Sequence, residues 1–308
     1  MKKKKIVQIV TLALAVTTIA TTAFATSVKR EGYDMFKNSF KSIRTMDTVT
    51  NSTVNITVDV EDNGVNIVSV EGKVKADQEE KKMSGVFTVG VENITKDIEV
   101  YANDKEKVIV DVLEDKYYKI DEPTDYRIDG IEHRGMNHEM MGEMTAQQEA
   151  LLDYFIGDYK DKFESVVGEN GNKIISFNLK EDEIPVPVNL MISAATSIEH
   201  KNEADIEVRD IELKGLPLFE ELNEVKDMPK LKEDIKVKEI GFNITLNEDN
   251  QMIGTSFSMK VEGKDEDGLN HDMVVKGSVE IEGIDESVVD TIDLSDKEVT
   301  VIECQTNK

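Results

Sequence analysis

The sequence predicts an α+β fold: a large curved antiparallel sheet with helices on its concave face. Three observations predict it. Apolar and polar residues alternate over two separated runs, from Val54 to Ile120 and from Ile206 to Ile281; an apolar stretch with helical spacing lies between them; and an amphipathic segment precedes the first run. A half-buried strand repeats every two residues and a helix every 3.6, so the periods sort the segments without any motif.

In chain order, Lys2 to Lys5 form a basic start, Ile6 to Ala20 an apolar, threonine-diluted stretch, and Ala23-Phe24-Ala25 places small residues where a signal peptidase reads them. The expectation is cleavage after Ala25 and residence outside the cytoplasm, secreted or in a bacterial cell envelope. A retained N-terminal anchor is the alternative, although the apolar stretch is short for a span of roughly 20 residues. Tyr33, Phe36, Phe40 and Ile43 recur at spacings of three and four and predict a helix with one apolar face. Val54, Ile56, Val58 and Val60 alternate with Asn55, Thr57, Asp59 and Glu61, and Asn63-Gly64 then supplies two residues that tolerate the positive φ angles of a type I′ hairpin. The alternation continues through 70–74, 87–91, 98–102, 108–112 and 118–120, an antiparallel meander with its polar side chains on one face.

Residues 121–145 are polar and irregular, whereas Leu151, Leu152, Phe155, Tyr159, Phe163, Val166 and Val167 predict a helix over 146–167 with Gly168 as its stop. A strand over 173–179 and a second apolar helix over 188–197 follow. Strands return over 206–213, 237–246, 252–261 and 273–281, with a helical connector over 216–225, a hairpin loop over 263–270 and a last strand, 298–303, closing the sheet. The organisation is therefore a signal peptide, 1–25, followed by a single curved-sheet domain, 26–308, or by two similar β lobes, 26–120 and 205–308, joined by a helical insert, 121–204. The second reading draws on Asn55-Ile56-Thr57-Val58 before Glu61-Asp62-Asn63 and its echo, Asn243-Ile244-Thr245-Leu246 before Glu248-Asp249-Asn250. Either a duplication or the convergence of two short strand-plus-turn stretches produces such an echo.

Composition narrows the function. With 63 Asp+Glu against 37 Lys+Arg and a formal charge of -26, the chain repels phosphate, which excludes a nucleic-acid binder that works by backbone neutralisation. Uncharged ligands fit, as does a basic envelope protein held through an acidic surface. Cys304 is the single cysteine, so no intramolecular disulfide forms. At 39% hydrophobic residues a polytopic membrane protein is excluded, and any membrane contact is expected to be transient. There is no Gly-x-Ser-x-Gly elbow and no phosphate loop, and His138-Glu139-Met140-Met141-Gly142 places Gly where a zincin needs its second His. No cofactor and no catalytic activity are expected.

Two candidate sites remain. A curved sheet whose apolar face is covered by helices either packs solid or leaves a void for an acyl ligand, worth about 0.8 kcal/mol per buried methylene. The candidate lining is Phe87, Val89, Tyr101, Val110, Leu151, Phe155, Met191, Phe257, Met259 and Val275. The second candidate is the cluster Met136, His138, Met140, Met141 and Met144. Thioether and imidazole suit Cu(I), and the cluster resembles the Met/His segments of exported copper-handling proteins; the same methionines also suit an adaptable lid over an apolar pocket.

The order of these parts, an exported precursor whose leading helix runs into a long antiparallel meander, interrupted by apolar helices and resumed afterwards, is similar to that of the LolA-like and mycobacterial LppX-like lipoprotein carriers. The resemblance covers most of the mature chain and lies in order and patterning. It implies an incomplete barrel wrapped around helices, with a hydrophobic cavity for acyl chains between them. Members of the mycobacterial branch are anchored through a lipidated Cys after the signal; here that position is Thr26, which points to free secretion or a different role.

Overall fold

The computed structural model describes residues 30–43, 50–104, 106–121, 157–168, 171–186, 188 and 229–303. Helix α1 (Arg30–Ile43) precedes strands β1 (Asn51–Asp62), β2 (Val65–Asp77), β3 (Lys82–Val91), β4 (Ile94–Ala102), β5 (Lys107–Asp111) and β6 (Lys116–Asp121). A 3-10 turn (Gly157–Lys162) then leads into β7 (Phe163–Val167), β8 (Lys173–Lys180), β9 (Glu233–Leu246), β10 (Met252–Lys264), β11 (Asn270–Glu282) and β12 (Val299–Glu303). These form one 12-stranded sheet in the order β12-β6-β5-β4-β3-β2-β1-β11-β10-β9-β8-β7. Pairing is antiparallel throughout except between β12 and β6, which run parallel. The two β runs of the sequence thus meet along β1 and β11.

The predicted meander forms as read, with longer strands. Asn63 (φ 51) and Gly64 (φ 78) both occupy the left-handed region at the β1–β2 turn, as a type I′ hairpin requires. The sequence echo has a structural counterpart: Ile56 and Ile244 both carry the apolar alternation, and Asn63 and Asn250 (φ 61) are both left-handed in the turns that follow.

Directly opposed residues on neighbouring strands share a face. Val54, Ile56, Val58 and Val60 of β1 stand opposite Val74, Gly72, Val70 and Val68 of β2, and opposite Ile281, Val279, Gly277 and Val275 of β11. The same face continues through Val91, Val89 and Phe87 of β3 to Ile94 and Ile98 of β4, and on the other side through Phe257, Met259 and Val261 of β10. One hydrophobic core draws on both runs, from Ile120 to Phe163. The other face is polar along the seam: Thr57 and Ser278 hydroxyls lie 2.7 Å apart, and Lys276–Glu61 and Lys73–Glu282 pair at 2.8 Å. Such exposed pairs contribute little stability and keep that face wet.

Helix α1 lies over the β7–β10 part of the apolar face. Phe163, Phe177, Phe242 and Phe257 stand directly opposite one another across β7, β8, β9 and β10. Phe163 and Phe177 rings are 4.7 Å apart and Phe177 and Phe242 5.1 Å, while Phe36 of the helix reaches Phe163 at 5.0 Å and Phe242 at 5.5 Å. Tilted and offset rings at these distances add to the burial of their area. Tyr33 joins at 5.7 Å from Phe163, so Tyr33 and Phe36 of the predicted apolar stripe seat on this aromatic row.

Two sequence expectations are corrected here. The helix expected over 146–167 is not helical where it is described: 157–162 is a 3-10 turn and 163–167 is edge strand β7. Gly157 (φ 33) has the left-handed φ that breaks a helix, and Gly168 donates its N–H to Asn172 across the β7–β8 turn, at 2.7 Å, where a helix stop was expected. The final strand extends the sheet beside β6, and among the described residues the sheet is open, with β7 and β12 at opposite edges, where closure was expected. The expected elements over 122–156, 189–197, 206–213 and 216–225 lie outside the described residues. Among the described residues, no helix is long and apolar enough to cross a membrane.

The segment between β11 and β12, residues 283–298, straps the polar face from one side of the meander to the other. Asp285 donates its N–H to Asn51 O at 2.8 Å, Ser287 Oγ lies 2.7 Å from Thr53 Oγ1, and Asp290 meets Lys75 of β2 at 2.9 Å and donates its N–H to Ser84 Oγ of β3 at 3.0 Å. Ile292 and Leu294 then pack on Val108, Val110, Tyr101 and Tyr117 in a second, smaller core. Lys297 closes the crossing, 3.1 Å from Asp115 and 4.6 Å above the Tyr117 ring.

Candidate ligand-binding face

Burial along the apolar face is graded. Near the Asn63 turn, Val58, Val60, Val68, Val70, Val89 and Val91 are buried. Toward the opposite strand ends, Val54, Ile56, Val74, Phe87, Val100 and Val279 are half-buried, although the register places them on the same face. This half-buried apolar strip crosses β4, β3, β2, β1 and β11 and so includes side chains from both runs.

Phe87 shapes the strip. A Cβ built on Gly72, its direct partner in β2, would lie 2.6 Å from Phe87 Cδ1, and one on Gly85 would lie 2.8 Å from Phe87 Cε2. The ring therefore lies flat across two glycines that have no side chain to lift it. A flat, half-buried aromatic surface flanked by valine and isoleucine suits an extended hydrocarbon chain, which gains free energy in proportion to apolar area removed from water.

A buried charge pair bounds the strip. Lys96 stands opposite Val89 on the apolar face and is 5% exposed, and its Nζ lies 3.6 Å from Asp111 Oδ2 and 3.9 Å from Glu114 Oε1. Asp111, 1% exposed, also accepts the Glu114 N–H at 3.1 Å and so fixes the β5–β6 turn. Burial holds the neighbouring Tyr118 hydroxyl above its ordinary range.

Of the residues predicted to line a site, Phe87, Val89, Phe257, Met259 and Val275 lie on the apolar face, Val89 and Phe257 buried and the other three half-buried. Tyr101 and Val110 are corrected: the register turns both to the opposite face, where they pack under the strap. Burial, and then its hydrogen bond to Glu99 at 2.8 Å, push the Tyr101 hydroxyl up to about 12. Leu151, Phe155 and Met191 lie outside the described residues, as do Met136, His138, Met140, Met141 and Met144. Val54, Ile56, Val74, Val100 and Val279 share this half-buried face and are not in the predicted lining, although the parity of their alternating runs places them there.

No protein-family model matches the chain, and no curated protein matches it. Solved structures similar to it include a DUF1329 family protein from Desulfovibrio piger, 10% identical, with 83% of this chain and 93% of that one covered and a TM-score of 0.21. An uncharacterized conserved protein from Thermus thermophilus is 9% identical, with 89% and 100% covered and a TM-score of 0.25. A LolA superfamily protein from Nitrosomonas europaea is 6% identical, with 79% and 92% covered and a TM-score of 0.20.

Proposed function

We propose that this chain is an exported, noncatalytic binding protein that holds a hydrophobic or lipid-like ligand against the half-buried strip of its apolar face. The observation that carries the reading is the grading of that face: continuous apolar parity through both β runs, fully buried at one end, and half-buried at the other around the flat Phe87 ring. Helix α1 covers the β7–β10 part, and the ligand takes the part over β11 and β1–β4. Affinity comes from apolar area, so selectivity among acyl chains of similar length is low, with about 0.8 kcal/mol for each further buried methylene.

Native mass spectrometry of the protein purified from its own host tests this. The expected result is a mass increment that extracts into organic solvent, together with uptake of a fluorescent acyl probe by the delipidated protein. Repeated absence of both removes the reading.

A further inference from the structure

At the closed end of the apolar face, where β1 meets β11, one imidazole sits between two carboxylates from different parts of the chain. His271, the second residue of β11, places Nδ1 2.8 Å from Asp62 Oδ2 at the end of β1 and Nε2 3.4 Å from Asp265 Oδ2 in the β10–β11 loop. The three side chains are 11%, 15% and 18% exposed, respectively. Nε2 and Asp62 Oδ1 are buried without a hydrogen-bond partner. Asp265 holds its loop with its other oxygen, which accepts the N–H groups of Leu269 at 2.8 Å and Asp267 at 3.0 Å. Among the described residues, β10 presents Gly263 opposite the ring, and Asp272, next in β11, is paired with Lys260 at 2.8 Å.

A neutral imidazole carries one N–H, so one of its nitrogens turns a lone pair toward a carboxylate, whereas the imidazolium offers a donor to both. We propose that His271 is a pH-sensitive latch that, when protonated, fastens the β10–β11 loop to the end of β1 and thereby locks the seam between the two runs. Burial pulls this imidazole down, but its contact with Asp62 and the negative charge of Asp62 and Asp265 outweigh it and hold the group above its ordinary 6.5. Asp265 is held below its usual range, first by the Leu269 N–H, with burial opposing and His271 assisting. The sign follows: the latch contributes fully below the ordinary imidazole value and is lost as pH rises through the higher folded-state value. It acts whether or not the face carries a ligand.

Nuclear magnetic resonance of the full chain tests the latch, with the His271 ring resonances followed against pH and hydrogen exchange read at the Asn63 and Asp272 amides, which bond to each other's residues at 2.9 and 3.1 Å. The ring is expected to titrate above 6.5. After correction for intrinsic rates, protection at these two amides is expected to fall about tenfold between about pH 5.5 and about pH 8, the scale of one lost charge-assisted hydrogen bond, while β8–β9 amides hold steady. In His271→Gln the two amides are expected to show low protection at every pH. Asp265→Asn, which keeps an oxygen for the loop amides, is expected to move the ring's titration down. A ring titrating at or below 6.5, His271→Gln seam amides that track the wild type across pH, or an Asp265→Asn titration that does not move would each overturn the proposal.

Discussion

Replacing Phe242 with alanine is expected to destabilise the protein by about 3–5 kcal/mol, the range for emptying a buried phenylalanine site. Phe242 is 1% exposed and sits under Phe36 of α1, between Phe177 and Phe257 of the neighbouring strands. Its removal withdraws partners from rings on three strands and on the helix, and the surrounding sheet cannot collapse into the gap because its strands are fixed by backbone pairing. The loss is a large fraction of an ordinary domain's stability, so a urea or thermal transition should shift visibly. Phe242→Leu, which keeps most of the volume, should cost under about 1.5 kcal/mol. Equal, small shifts for both variants would mean that the aromatic row does not anchor the helix.

Asp111→Ala is expected to be as severe, about 3–5 kcal/mol, for a different reason. The substitution removes the nearer, buried carboxylate beside the Lys96 ammonium, leaving Glu114 at 3.9 Å, and it removes the acceptor that fixes the β5–β6 turn. The buried ammonium then keeps its desolvation cost against a more distant and more exposed counter-charge. Replacing both members, Lys96→Met with Asp111→Leu, should recover most of the loss, because two apolar side chains of similar volume carry no desolvation cost; the double variant is expected within about 1 kcal/mol of wild type on this part of the balance, or above it. Unfolding measurements on the wild type, Lys96→Met, Asp111→Leu and the double variant give the coupling directly. Additive losses would show that the two side chains act independently.

Much of the sheet was legible because its strands alternate cleanly. Val54 to Val60 opposite Val68 to Val74 needs only parity and an Asn-Gly turn to be placed. What failed was parity at β5. Val108-Ile109-Val110 is apolar on both faces, so alternation gives no orientation there, and the reason is a distant segment: Ile292 and Leu294 of the strap cover the outer pair. Tyr101 and Val110 stand in the predicted lining, and the strap, polar and irregular in sequence, carries no local sign that it lies across them. Residues 157–167 failed for a related reason. Tyr159, Phe163, Val166 and Val167 fit a helical stripe, yet as an edge strand β7 buries Phe163 and leaves both valines exposed. The parallel pairing of β12 with β6 depends on where the strap delivers the chain, which no local pattern encodes. Lys96 and Asp111 read as solvated charges within an acidic chain, because sequence shows a charge but not the burial that makes it costly.

The proposed binding surface is one apolar face assembled from both β runs and open to ligand along its half-buried strip. Photolabelling with a diazirine-bearing acyl chain, followed by peptide mapping, tests it most directly. The expected result is labelling of peptides from β1, β2 and β3 together with β11, at or beside Val54, Ile56, Val74, Phe87 and Val279, and competition by unlabelled acyl chain. Labelling confined to one run, or to the strapped face around Tyr101 and Val110, would contradict it.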